Sequence, residues 1–310
     1  TWAPSAELDK TAGDTVFATP MQTTTFTVMG IDEQTGCSNS AVSTVTVKPL
    51  PSVAVNSGSI CSGSSITLIA SGASSYSWSP STSLNKITGD TVLATPISTT
   101  NFTVTGTDSS TGCANSSIST VTVNPSPVIS VNSGSICKGS SMTLTASGAD
   151  SYSWSPATSL SAGSGNQVKA GPDTTTTYTI TGTITNTGCR STAVSTVTVN
   201  PLPVPPVGIN GSRCGAGTVT LSATVTSGQT VSWFAAPSGG TALATGSNFN
   251  TPQLSNTTTY YAEAAVVSLG CVSATRTAVT ATVYNVAPPA ATSKSRCGSG
   301  TLELTATPPD

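Results

Sequence analysis

The chain has 310 residues, a formal net charge of -2, only 7% charged residues and no histidine. Ordinary globular proteins carry about 25% charged residues, and charge this sparse excludes the basic face on which nucleic-acid binding depends. No run of about 20 apolar residues is present to span a bilayer as a helix, so this segment is expected neither to insert into a membrane nor to contact nucleic acid.

Read in order, the elements repeat. Trp2, Trp78 and Trp154 recur at one fixed interval, and the same interval separates Cys37, Cys113 and Cys189, and Cys61 and Cys137. SGSICSGSSITLIASGASSYSWSPSTSL (57–84) returns as SGSICKGSSMTLTASGADSYSWSPATSL (133–160), so repeats come before any other reading. The expected organisation is a partial repeat at 1–49, full repeats at 50–125 and 126–201, a divergent repeat at 202–287 holding Cys214, Trp233 and Cys271, and the start of another at 288–310 with Cys297. The chain reads as a segment of a longer polymer of domains.

Within the second repeat, apolar residues alternate with small hydroxyl residues, the period-two pattern of strands buried on one face. Ile66, Leu68 and Ala70 mark one strand, Tyr76 and Trp78 the next, then Val92 and Ala94, Phe102 and Val104, Val121 and Val123. Turn signals such as Ser71-Gly72-Ala73, Thr88-Gly89-Asp90 and Thr111-Gly112 separate them, at the spacing of a sandwich of about seven strands. The third repeat keeps the pattern, and no segment has a helical period. The predicted fold class is all-β: tandem immunoglobulin-like β-sandwich repeats, with Trp78, Trp154 and Trp233 as core anchors. Pro49-Leu50-Pro51, Pro125-Ser126-Pro127, Pro201 to Pro206 and Pro288-Pro289 mark the links. Proline fixes φ and stiffens such links, so an elongated rod is expected.

Eight cysteines beside no histidine and few acids point to disulfides rather than metal. Two pairings stand open. The usual immunoglobulin bridge would join positions held here by Ala70 and Val104, while Cys61 lies before the second strand and Cys113 just past the last hairpin tip. Those sites fall at opposite ends of one sandwich, separated by roughly ten residues of strand, about 33 Å, against the roughly 7 Å limit on Cα separation in a disulfide. One pairing therefore staples successive repeats, Cys61–Cys189 and Cys137–Cys271. The other stays within each repeat, Cys61–Cys113, Cys137–Cys189 and Cys214–Cys271.

Catalysis needs a tuned acid, base, nucleophile or metal in a cleft. Asp90, Asp108, Asp150 and Asp173 occur one at a time in turns, where Asx hydrogen bonding accounts for them. No enzyme activity, cofactor, metal site or catalytic residue is expected.

The stretch SICSGSSITLIASGASSYSWSPSTSL, with TTNFTVTGTDSSTGC and ISTVTVNP, resembles PKD-like and immunoglobulin-like repeats of large Bacteroidota surface proteins, gliding adhesins among them. RCGAGTVTLSATVTSGQTVSWFAAPSGGTALATGSNFNTPQLSNTTTYYAEA resembles a second immunoglobulin-like type from the same proteins. The resemblance implies type IX secretion, an extracellular place on the cell surface, and O-glycans on Thr15, Thr91 and Thr174, each following an Asp and preceding a methyl-bearing residue. The function it supports is a structural stalk or fibre of a giant adhesin or surface filament. Its partners would be neighbouring repeats, lateral copies, and surface glycans met by a tip outside this segment. The alternatives are a carbohydrate-binding module array, for which Tyr261 and Tyr284 are the candidate exposed aromatics, and a spacer in a large secreted polysaccharide-degrading enzyme.

Overall fold

A computed structural model describes residues 1–307. Among them the regular structure is β throughout, and no helix is long and apolar enough to cross a membrane. By density of contacts the chain divides into two compact units, residues 1–127 with 184–190, and residues 128–183 with the chain from 191 onward.

The first unit contains a three-stranded antiparallel sheet, Trp2–Ala3, Thr24–Ile31 and Ser38–Val45, and then a complete sandwich. One sheet of that sandwich has the order Ala54–Val55, Ile66–Ser71, Thr91–Ala94. The other has the order Gly58–Cys61, Ala114–Asn124, Thr100–Thr107, Ser75–Ser79. Alternation along each strand sends Leu68, Ala70, Trp78, Val92, Phe102, Val104 and Val121 inward to a shared core, while the intervening Ser and Thr face outward. Seven strands in two sheets, each with one apolar face, form an immunoglobulin-like sandwich.

The second unit holds two more sandwiches. The first repeats the pattern: Ser130–Val131, Met142–Ser147 and Gln167–Ala170 face Gly134–Cys137, Arg190–Asn200, Thr176–Thr183 and Ser151–Ser155. Leu144, Trp154, Val168, Tyr178, Ile180 and Val197 fill its core. The next pairs Val207–Ile209, Thr220–Thr224 and Asn248–Asn250 in one sheet. Gly211–Cys214, Thr277–Tyr284, Thr258–Val266, Thr230–Phe234 and Ala244–Thr245 form the other, and Cys271–Val272 adds to it. Here Trp233 stacks on Phe249 at 5.4 Å between ring centroids, and Phe249 meets Tyr260 edge-on at 5.0 Å. A short pair, Ala290–Ala291 with Ala306–Thr307, follows.

Each tryptophan also carries a polar group that must be satisfied once buried. Trp78, Trp154 and Trp233 donate through Nε1 to the carbonyls of Gly89, Gly165 and Gly246, each at 2.9 Å. The core anchor therefore also fixes the neighbouring turn.

Tyr178 differs from its equivalents. It is fully buried, its hydroxyl has no hydrogen-bond partner, and burial pushes its phenol pKa up. Phe102 occupies the same place in the preceding sandwich without that group. An unpaired buried hydroxyl costs about 1–3 kcal/mol, so Tyr178→Phe is expected to leave stability unchanged or raise it by about 1 kcal/mol in denaturant unfolding. A clear loss would mean that the hydroxyl is engaged.

Candidate functional site

The distinctive chemistry of the chain lies in its cysteines, and their positions follow from one local device. After Ala54–Val55 the backbone leaves its sheet and joins the opposite one as Gly58–Cys61. The crossing is held by Asn56 and Ser57. The Asn56 side chain donates to the Thr67 carbonyl at 3.1 Å and accepts from the Ile69 amide at 2.6 Å. Ser119, fully buried on the last strand, donates to the Asn56 carbonyl at 2.7 Å, and the Thr120 amide donates to Ser57 Oγ at 3.0 Å. Asn132, Ser133, Ser195 and Thr196 rebuild the same set in the next repeat.

Gly58–Cys61 consequently runs parallel to the last strand, with Cys61 opposite Asn124 at its far end. Cys113 precedes Ala114 at the near end of that strand. Eleven residues of strand separate the two ends, about 36 Å at roughly 3.3 Å per residue.

The hairpin end is built as deliberately. In the third repeat the Gly188 amide donates to the Ile184 carbonyl at 2.8 Å and the Ile184 amide to the Cys189 carbonyl at 2.9 Å. Gly188 takes a positive φ, in the left-handed region that glycine adopts without strain. Equivalent turns carry Cys113 and Cys37, where Asp108 and Asp32 stand in place of Ile184. The Asp108 carboxylate accepts from the Ser110 hydroxyl at 2.6 Å and from the Ser110 and Thr111 amides. These bonds, the hydroxyl foremost, hold its pKa below the usual carboxylate value. At Asp32 the Thr35 amide has the largest such effect.

The structure joins Cys61 to Cys189, with Cα atoms 5.5 Å apart, and Cys137 to Cys271, at 5.6 Å. The pairings Cys61–Cys113, Cys137–Cys189 and Cys214–Cys271 are not formed. The stiff last strand holds the first two of these pairs apart, and Cys271 is taken up by Cys137. Cys37, Cys113, Cys214 and Cys297 are free thiols. Each bond lies within one compact unit, and the hairpin 184–190, which carries Cys189, groups with residues 1–127. Within that unit Ile184, Asn186 and Thr187 line a crevice with Asn124 to Pro127, which seats the hairpin against the proline link beside Cys61. The bonded cysteines are 128 and 134 residues apart in sequence. Closing a loop of that size removes about 5 kcal/mol of unfolded-chain entropy for one bond. The two loops overlap, so their contributions are not additive.

The remaining expected positions are dispersed. Thr15 and Thr174 are exposed, and Thr91 is half-buried at the start of its strand. Tyr284 is 55% exposed and Tyr261 half-buried, on neighbouring strands. Arg276 is fully engaged: it pairs with Glu263 at 3.0 Å, lies 3.3 Å over the Phe234 ring, and donates to the Ala236 and Gly239 carbonyls. Among the described residues no group of three or more His, Cys, Asp or Glu is placed to hold a metal ion. Asn56, Ser57 and Ser119 stand outside the apolar alternation and so escape a reading by pattern, although the verbatim return of Val-Asn-Ser-Gly-Ser-Ile-Cys at 55–61 and 131–137, and of Ser-Thr-Val-Thr-Val-Asn at 119–124 and 195–200, is their signal.

These features define a chain of tandem immunoglobulin-like domains with disulfides between successive repeats. Residues 203–284 match the family described as Ig-like domain, CHU_C associated. No curated protein matches the chain. Among solved structures, a three-domain I-band fragment of titin aligns at 11% identity and a TM-score of 0.37, over 76% of this chain and 98% of that one. Three N-terminal domains of the highly immunogenic outer capsid protein of bacteriophage RB49 align at 14% identity and 0.36, over 76% and 99%. The eight N-terminal domains of Down Syndrome Cell Adhesion Molecule align at 11% and 0.36, over 84% and 40%.

Two measurements check the site. A non-reducing peptide map of the oxidised chain is expected to return the Cys61–Cys189 and Cys137–Cys271 peptides, and a Cys61–Cys113 peptide would contradict the structure. In a carboxyl NMR titration, Asp108 should protonate below the ordinary value of 3.8. A depressed carboxylate stabilises the fold above its unfolded pKa, so any contribution of Asp108 to the hairpin should be lost as pH falls through that lowered midpoint.

Proposed function

We propose that the chain is a structural stalk or fibre segment of a giant secreted cell-surface adhesin or filament, and that its repeats at 50–125, 126–201 and 202–287 act as spacers. The observation that carries this reading is the pairing of the early cysteine of the repeats at 50–125 and 126–201 with the hairpin cysteine of the next. A module that works alone gains nothing from a covalent bond to its neighbour, whereas a load-bearing series does. The burial of Trp78, Trp154 and Trp233 supports the same reading, because a carbohydrate-binding array needs its aromatic platforms exposed.

On this reading the chain is exported by the type IX route, oxidised outside the cytoplasm, and serves adhesion or gliding through a tip elsewhere in the parent protein. Its partners are neighbouring repeats and lateral copies of itself. The exposed Thr15 and Thr174 are the better placed candidates for O-glycans, with Thr91 less accessible.

The oxidised chain, tested against a panel of bacterial and plant polysaccharides, is expected to show no binding. In-frame removal of residues 50–201 from the native surface protein should shorten its reach while leaving the ligand affinity of each molecule unchanged. Specific polysaccharide binding by the chain alone would overturn the stalk reading in favour of a carbohydrate-binding array.

A further inference from the structure

The connectivity of the two bonds sets where tension can travel. Starting from Cys61, the disulfide leads directly to Cys189, bypassing residues 62–188. From there the backbone continues to Cys214, which holds the same position two repeats on. A second route follows the backbone from Cys113 to Cys137 and crosses the disulfide to Cys271, bypassing residues 138–270.

Most residues of both backbone stretches are in strands. The first consists of strand Arg190–Asn200, a link with prolines at 201, 203, 205 and 206, and strands Val207–Ile209 and Gly211–Cys214. The second consists of strand Ala114–Asn124, prolines at 125 and 127, and strands Ser130–Val131 and Gly134–Cys137. These strand segments have almost no further length to give, since full extension is about 3.3–3.6 Å per residue. The strands carrying Trp78 and Trp154 lie outside both routes, within residues 62–112 and 138–188.

We propose that the staples make this chain an inextensible tether. Tension passes along two interleaved covalent routes, one taking the last strand of a given repeat and the other its first strands, and the bypassed residues, with most of each hydrophobic core, hang beside those routes as closed loops. A core that opens under load then adds no length between Cys61 and Cys214. The disulfide and the stretch of about 25 residues after it limit their separation to about 85 Å at full extension. The bypassed strands of each sandwich hold the routes in register and do not carry the pull. This inference rests on the stalk reading for its biological use, but it depends only on connectivity.

The test is single-molecule stretching of the oxidised full chain with non-thiol handles at Ser59 and Ala216, pulled until no further extension occurs. Through the Cys61–Cys189 bond the path has about 29 residues, so extension should stop at about 100 Å. Cys137→Ser with Cys271→Ser should leave that limit unchanged. Cys61→Ser with Cys189→Ser leaves the Cys137–Cys271 route, with about 133 residues, and should extend to about 450 Å. Full reduction should give about 540 Å.

A limit of about 180 Å in the unmodified chain, the length set by bonds within repeats, would overturn the proposal. So would a longer limit on removal of the Cys137–Cys271 pair. Polysaccharide binding by a chain that keeps the short limit would sink the stalk reading and leave the tether intact, so the two failures are separable.

Discussion

The hydrogen bond from the buried Ser119 hydroxyl to the Asn56 carbonyl, repeated by Ser195 and Asn132, fixes the point at which the first strand changes sheets. A serine hydroxyl is an unusual group to bury completely, and it is stable there because its donor has an acceptor that would otherwise be orphaned at a chain crossing. With that crossing fixed, Gly58–Cys61 must lie parallel to the last strand, and the cysteine must fall at the end of the sandwich where the proline link departs. Were the crossing displaced by one residue, the cysteine would turn to the opposite face of its strand, and the bond to the next hairpin would be lost.

The link residues complete the placement. The Ser62 amide donates to the Asn124 carbonyl at 2.9 Å, and the Lys138 amide to the Asn200 carbonyl at 2.9 Å. The turn after each cysteine is thus closed onto the last residue of the strand that leads into the prolines. Both partners of the staple are held by backbone hydrogen bonds, one in this turn and one in the Gly188 hairpin. The disulfide therefore joins two groups that are already ordered, and little freedom remains to be lost when it forms.

Much of this was legible in the sequence. The alternation of Leu68 and Ala70, Phe102 and Val104, and Val121 and Val123 with hydroxyl residues predicts strands with one buried face, and those residues line the core. The short strand Gly58–Cys61 was not legible as a strand, because Gly-Ser-Ile-Cys has no alternation long enough to read and its parallel partner lies at the other end of the repeat. Strand length alone places the two cysteines of one repeat out of bonding reach. The hairpin's move into the other compact unit is a tertiary effect that no local pattern in residues 184–190 reports.

The last strand has a further consequence for how the protein matures. A chain synthesised from its amino end completes the sandwich that holds Cys61 and Cys113 before Cys189 is made. The strand between their positions, 11 residues long, acts as a ruler that forbids the premature pair. Within its own repeat Cys61 has no cysteine in bonding reach, and its partner comes with the following one. The rigidity of a single β-strand thus selects between the two possible partners of Cys61.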